Sequence, residues 1–350
     1  MGSGREAAGR AEPRIAACLI VRDEAERLPA CLASLHGVVD EVIVHDTGSR
    51  DSSREVAAGC GATVIAGRWL DDFARARNVA LDAATAEWIL AVDADETLQV
   101  DPAALTAALQ VADEVDAFAV EIRSRGGADS RGLDARAEVK LFRRGGLRYR
   151  GRVHERLERA DAKPLTVRLL PPQTLRYQHS GYQDAAVATA KAVRNARLAR
   201  LELDELLADP DPQPADVARA ALDLGRSELG AGQFEAAAGA LRMARAQPEE
   251  LMEWAWATDF LARLALRTGD PQEVLRLADE LAATELADEY SSWLKAQAFG
   301  LLGRAPECLQ QLDTITSLHD LAGRELAFGQ VRELRALAEA NRDEAESELH

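Results

Sequence analysis

The sequence predicts an open α/β sheet domain followed by an all-α helical-repeat domain. Short apolar runs alternate with amphipathic stretches up to about residue 110. Strand signals vanish from about Ala186, and beyond that point glycines interrupt a helical pattern at near-constant intervals. A chain of 350 residues is long enough for two domains, each with its own core. With 47% hydrophobic and 29% charged residues, collagen-like and disordered classes are excluded.

In chain order, Ile15-Ala-Ala-Cys-Leu-Ile-Val21 is a continuous apolar run with a polar stop at Arg22-Asp23, the pattern of a buried parallel strand. Asp23 is the candidate N-cap of the helix that follows. There Leu28, Cys31, Leu32 and Leu35 recur at i, i+3, i+4 and i+7, a stripe able to cover the sheet. Glu41 to His45 reads as the second strand and ends at Asp46. A helix capped by Asp51 or Ser52 runs to Gly59, Thr63 to Ala66 supplies a third strand, and a further helix spans about Phe73 to Ala83. Trp88 to Val92 is the fourth strand, ending in Asp93-Ala-Asp95-Glu96; Asp101-Pro102, cap plus first-turn proline, opens another helix. This alternation implies right-handed crossovers, and such sheets bind ligands at the carboxyl ends of their strands. Three polar clusters fall there: Arg22-Asp23, Asp46-Thr-Gly-Ser49 and Asp93-Ala-Asp95.

In the second half, Gly232-Gln233, Gly269-Asp270 and Gly303-Arg304 stand 37 and 34 residues apart, each between two helical stretches, and Asn341-Arg342 repeats the pattern weakly 38 residues on. The spacing resembles a short tetratricopeptide array, with Gln233-Phe-Glu-Ala-Ala237 close to the usual start of a second helix. Pro210-Asp-Pro212-Gln-Pro214 cannot continue a helix and marks the expected boundary. The expected division is an α/β domain over 12–185, a helical linker over 186–209 and repeats over 210–350. Such repeats stack into a solenoid whose groove binds peptides or pairs subunits, here as a homodimer.

The formal charge of −17 is lopsided, net −3 over residues 1–180 and net −14 over 181–350. The acidic second half opposes nonspecific nucleic-acid binding through phosphate repulsion. One basic segment stands in the first half: ten Lys and Arg residues lie between Arg131 and Arg159 beside four acids. It suits a bound polyanion such as a diphosphate, or else it is a solvated strand-and-loop surface. Cys18, Cys31, Cys60 and Cys308 have no CxxC spacing and lie in apolar segments, so they read as reduced core residues. The longest apolar run is far shorter than the roughly 20 residues of a membrane-spanning helix, and no basic-then-apolar leader precedes it. No transmembrane segment is expected, and the expected location is cytoplasmic, with a peripheral membrane role left open.

Two carboxylates at i and i+2 after a buried strand, as in Asp93-Ala-Asp95, can converge on Mg²⁺ or Mn²⁺ and bridge it to a diphosphate; acidic turns that cap a following helix have the same form. The wider pattern decides between them. Leu19 to Leu35, Val39 to Ser49, Asp72-Phe-Ala-Arg-Ala-Arg-Asn78 and Trp88 to Glu96 together closely resemble family 2 glycosyltransferases, which have the GT-A fold and use nucleotide-sugar donors. The resemblance covers about residues 14–180. It implies a nucleotide-sugar donor, UDP-linked, held around Arg22, Asp23, Asp46, Ser49, Arg77 and Asp93. Asp46 matches the acid that contacts uracil and Arg77 a basic residue near the nucleotide. Asp93 and Asp95 match the DxD pair, whose second acid usually touches the metal. The family more often has Asn where Asp23 stands. The QxxRW motif of processive synthases is absent, which implies transfer of a single sugar.

Arg150-Gly-Arg-Val-His-Glu155 and Tyr177-Gln-His-Ser-Gly-Tyr182 resemble blocks in members that carry helical repeats, including S-glycosyltransferases of antibacterial peptides. A peptide or protein acceptor, through a cysteine or serine, is the implied partner. Inverting transfer needs a base on the acceptor side; Glu155 is the first candidate and His154 its rival, while Glu155 as a surface acid pairing with Arg152 or Arg159 is the alternative. His179, before a rim loop, is a candidate third metal ligand beside Asp93 and Asp95, or a structural histidine. Three other readings stay open: a lipid or cell-envelope saccharide acceptor, a repeat-based adaptor with an inactive GT-A domain, and a nucleotidyltransferase.

Overall fold

The computed structural model describes residues 12–125, 133–179, 185–247, 251–284, 288–321, 323, 326 and 328–348. The chain divides into two compact units between Asp184 and Ala185.

In the first unit, β1 (Ile15–Val21), β2 (Glu41–Asp46), β3 (Thr63–Ala66) and β4 (Trp88–Ala91) pair in parallel in the order β3-β2-β1-β4. The connections run through α1 (Leu28–Leu35), α2 (Ser53–Gly59) and α3 (Phe73–Ala83). Because strand side chains alternate between faces, Ile15, Ala17, Leu19 and Val21 join Leu28, Cys31, Leu32 and Leu35 in one core. Ala16 and Cys18 meet Ala80 and Leu81 of α3 in the other. Each buried leucine of α1 contributes roughly 1.5–3 kcal/mol, so the stripe read from the sequence is what seats the helix. Asp72 caps α3 by accepting from the Arg75 amide at 2.7 Å.

Beyond β4 the sheet becomes mixed. There follow β5 (Glu96–Val100), α4 (Pro102–Gln110), β6 (Ala117–Arg125), β7 (Leu133–Arg143), β8 (Leu147–Arg150), β9 (Arg156–Arg159), β10 (Val167–Leu169) and β11 (Leu175–His179). β4 continues antiparallel into β7, β7 into β6, β6 parallel into β11, and β11 antiparallel into the edge strand β5. β10 lies beside β6, and β8 with β9 forms a separate hairpin. Asp101 caps α4 by accepting from the amides of Ala103 and Ala104, both at 3.0 Å.

Two expectations change here. Asp23 does not cap α1, whose N-cap is Arg27; it sits at φ +56, a conformation that Asp tolerates better than most residues. Cys60 is exposed, whereas Cys18, Cys31 and Cys308 are buried.

The second unit comprises α5 (Ala185–Ala208), α6 (Pro214–Gly230), α7 (Phe234–Arg245), α8 (Leu251–Thr268), α9 (Pro271–Ala282), α10 (Asp288–Leu301), α11 (Ala305–Asp313) and α12 (Phe328–Glu348). α6 packs on α7, α8 on α9 and α10 on α11. Gly232, Gly269 and Gly303 take φ of +76°, +75° and +68° after the first helix of each pair. In each case the next residue's amide returns to the carbonyl five back, Gln233 to Glu228, Asp270 to Ala265 and Arg304 to Phe299, all at 2.9 Å. These are three copies of one Schellman cap, for which glycine is the strain-free residue. Within the first pair, a Cβ on Gly225 would lie 2.6 Å from the Leu241 side chain, so a bare backbone lets α6 and α7 close.

The segment expected as a helical linker, 186–209, falls almost wholly in α5, which packs along α6, and the proline cluster joins the two with Pro214 as the first residue of α6. Asn341-Arg342 breaks nothing and lies inside α12; without a glycine, no residue there readily enters the left-handed region that ends the other helices. No described helix is long and apolar enough to cross a membrane.

Candidate active site

The parallel strands end flush, Val21 of β1 standing beside Asp46 of β2, so the polar residues that follow them gather on one edge. After β1, Asp23 and the loop behind β2 hold each other. The Asp23 amide donates to Ser49 Oγ at 2.9 Å, and its carboxylate accepts from the Arg50 amide at 2.7 Å. Glu24 and Ala25 amides donate to Ser53 Oγ and Asp51 Oδ2. Arg22 is exposed, its Nε 4.0 Å from Asp23. Asp46 is fully buried: Oδ1 accepts from the amides of Gly48 and Ser49, each at 3.1 Å, and Arg54 Nε lies 3.8 Å away. Asp46 Oδ2 is buried with no hydrogen-bond partner, a state that costs on the order of 1–3 kcal/mol unless a donor arrives.

After β4 the charges interlock. Arg77, on α3, donates from Nε to Glu155 Oε1 at 2.6 Å and from Nη2 to Asp93 Oδ1 at 3.0 Å, with its guanidinium over the Tyr149 ring. Burial works against the Arg77 charge, but Asp93 and Glu155 outweigh it and push the group further up. Asp93 Oδ2 accepts from Lys140 Nζ at 3.1 Å, and Lys140 also reaches the buried Glu96 at 3.0 Å. Burial would raise Asp93, yet Lys140 and Arg77 hold it well below the ordinary carboxylate range; for Glu96 burial prevails and the carboxyl is pushed up. Asp95 Oδ2 lies 3.2 Å from His179 Nε2, and this bond is the main reason His179 is pushed above its ordinary value. Ser124 Oγ stands 3.4 Å from His179 Nδ1, because β6 and β11 pair in register there.

The loop carrying the candidate bases is strapped to α3. Gly151 at φ +96 and His154 at φ +54 bend it, the Phe73 amide donates to Arg152 O at 2.9 Å, and Arg152 donates to Asp71 O at 3.0 Å. Asn78 fastens β8 by donating to Tyr149 O at 2.9 Å and accepting from the Tyr149 amide at 3.0 Å. The structure thus joins Glu155, Arg77 and Asp93 in one cluster and Asp95 with His179 in a second, and places His154 beside Glu155 on the loop. His179 ends a strand; Ser180 to Tyr182 lie outside the described residues.

Lys140, Glu96, Tyr149, Ser124 and Arg54 had no assigned role in the sequence. Lys140 stood there only as one of ten basic residues, and a lysine inside Val139-Lys-Leu-Phe142 was the one signal that could have singled it out. The other basic residues described in that segment mostly meet acids or backbone: Arg143 pairs with Glu87, Arg148 with Asp82, Arg159 with Asp116, and Arg144 reaches Ala86 O. That favours the solvated-surface reading over a polyanion site for most of it. Among the described residues no three His, Cys, Asp or Glu side chains are arranged to hold a metal unaided.

With this strand order and an acid-rich edge after β4, the first unit has a GT-A-like fold. Residues 17–160 match the model of glycosyl transferase family 2, and the first unit is a family 2 glycosyltransferase domain followed by a helical C-terminal region. The chain is 54% identical to a TPR repeat-containing protein of Synechococcus elongatus over 90 residues, 26% of this chain and 22% of that one. It is 35% identical to the SPbeta prophage-derived glycosyltransferase SunS of Bacillus subtilis over 86 residues, 24% and 20% of the two chains. The matched part thus spans about a fifth of either relative's length. TarS 1–349 of S. aureus aligns over 85% of this chain and 88% of its own, at 15% identity and a TM-score of 0.37.

Proposed function

We propose that the chain is an inverting, metal-dependent glycosyltransferase that moves one sugar from a UDP-sugar to a peptide or protein acceptor. The observation that carries the reading is the ion-paired chain Glu155–Arg77–Asp93 beside Asp95–His179 at the sheet edge. The orphaned Asp46 Oδ2 fits the imino N–H of a pyrimidine base, a donor that would satisfy it on nucleotide binding. Asp95 and His179 fit a divalent cation as two protein ligands, the diphosphate oxygens supplying others. A bound Mg²⁺ or Mn²⁺ would neutralise charge developing on the leaving diphosphate.

The chain's own residues do the rest. With Oε1 held by Arg77, Glu155 presents Oε2 to take the proton of the acceptor nucleophile as that atom attacks the anomeric carbon from the face opposite the diphosphate. Arg77 fixes the carboxylate's direction and adds positive charge near the donor. With a cation bound, Nδ1–H of His179 would donate to Ser124 and leave Nε2 the lone pair that a cation requires. The helical unit, with its stacked pairs, recognises the acceptor or forms a homodimer. The chain is incubated with several UDP-sugars and a peptide library, with and without Mn²⁺, and UDP release and peptide mass are recorded. Metal-stimulated release and a single added hexose are expected. Transfer of a nucleotide, or no release from any donor, overturns the reading.

A further inference from the structure

The second half of the chain is acidic, net −14 over residues 181–350, yet its helices do not share that charge evenly. Among the first helices of the three pairs, α6 touches α8 and α8 touches α10, so the three form one layer. Between Val217 and Glu228 of α6, only Arg219 and Arg226 escape burial; between Ala255 and Ala265 of α8, only Trp256, Phe260 and Arg263 do. Spacings of three, four and seven put each set on one stripe of its helix. The pair of Arg219 with Glu253 joins the two stripes. From Tyr290 to Ala298, α10 adds Ser292, Lys295 and Gln297 and no acid. The second helices differ: α7, α9 and α11 expose Glu235, Asp279 and Asp313.

The acids of the first-helix layer lie underneath. Asp223, Glu253 and Asp259 are buried, and each is held by an arginine that stays a third to a half exposed: Arg226 at 3.6 Å, Arg219, and Arg263 at 2.6 Å. A buried carboxylate requires such a partner, but it occupies only part of a guanidinium's five donors. Arg263 also lies over the Phe260 ring, 4.6 Å from its centroid, and Phe260 stands 6.0 Å from Trp256. Two aromatics and a cation thus follow one another along α8, the residue types on which peptide recognition concentrates.

We propose that this face of α6 and α8 binds an acidic peptide segment bearing aromatic side chains, its carboxylates on Arg219, Arg226 and Arg263 and its rings against Trp256 and Phe260. Charge complementarity selects that occupant. A basic segment would meet three guanidinium groups here, whereas an acidic one is repelled by the exposed acids of the other helices and finds its complement on this face. In naming the acceptor's class the proposal rests on the glycosyltransferase reading above; as a binding site it needs neither metal nor donor.

The test is fluorescence anisotropy of labelled short peptide pools with the full chain, without UDP or Mn²⁺. One pool combines Asp and Glu with Phe and Tyr, a second puts Lys and Arg in place of the acids, and a third keeps the acids and omits the aromatics. The first should bind about tenfold more tightly than either other. Arg226→Gln with Arg263→Gln should weaken it about tenfold, while the same charge loss on α7 and α9, Arg242→Gln with Arg276→Gln, should change it less than about twofold. A first pool that binds no more tightly than both others overturns the proposal, a comparison made on the unaltered chain. So does undiminished binding by the folded Arg226→Gln, Arg263→Gln variant, or an equal loss in the α7 and α9 variant. The expected preference without UDP release from any donor leaves this site standing and removes the catalytic reading; sugar transfer without the preference removes this inference alone.

Discussion

In the helical unit, three successive pairs are closed by the same local device, a left-handed glycine whose following amide returns five residues back. At the strand ends of the first unit, the groups after β4 find partners far along the chain: Arg77 and Glu155 are 78 residues apart, Lys140 and Asp93 47, His179 and Ser124 55. A fault in the first kind of contact stays with its neighbours. In the second, removing one member leaves a buried charge uncompensated and disturbs groups on several elements at once.

Glu155→Gln should break that comparison most visibly, because the amide keeps an oxygen for Arg77 yet cannot take a proton. Turnover is expected to fall about 10²–10⁴-fold with donor binding by calorimetry unchanged; a variant with full turnover would move the base to His154. Asp95→Asn is expected to lower metal-stimulated UDP release by about 10²-fold, just under about 3 kcal/mol of transition-state stabilisation. Unchanged release at saturating Mn²⁺ would remove Asp95 from the site.

The helical side is sharpened by Gly232→Ala, Gly269→Ala and Gly303→Ala, each forcing Cβ into a left-handed position at a cost of about 1–2 kcal/mol. Thermal melts should fall by similar amounts in all three while UDP release persists. One large loss and two small ones would show that the caps are not equivalent. The smallest expected effect is a pH slope. Asp259 on α8 is buried and pushed above its ordinary value by that burial, although Arg263 and the Tyr290 hydroxyl, at 2.6 Å, bond to it. Its folded value lies above its unfolded one, so its contribution is complete below the ordinary carboxylate range, near pH 4, and is lost as pH rises through the raised value. Asp259→Asn should flatten that part of the stability curve in denaturant titrations.

How far each region could be read in the sequence follows the same division. The stripe of α1, the runs of β1, β2 and β4, the Asp101-Pro102 start and the glycine turns all encode their structure within a few residues. The edge strand β5 was hidden because Glu96–Val100 continues an acidic turn and acquires its pairing only from β11, which arrives more than 70 residues later. Asp46, Arg77, Asp93, Asp95, Glu155 and His179 could be named from their blocks. Which of them touch could not, since the partners Lys140 and Ser124 lie on strands whose register is set by the whole sheet.

Asn78 does with one side chain what a neighbouring strand would otherwise do, donating to the carbonyl and accepting from the amide of a single residue of β8, Tyr149. The hairpin of β8 and β9 is thus pinned next to Arg77, while the turn Arg144 to Gly146, which joins β7 to β8, stands outside that contact. For protein engineering this separates what must be kept from what can be varied. Insertions at Gly145-Gly146, in the turn between β7 and β8, should be tolerated so long as Arg144, Asn78 and the Tyr149 backbone are untouched, which makes that turn a graft point that preserves the alignment of Arg77 with Glu155.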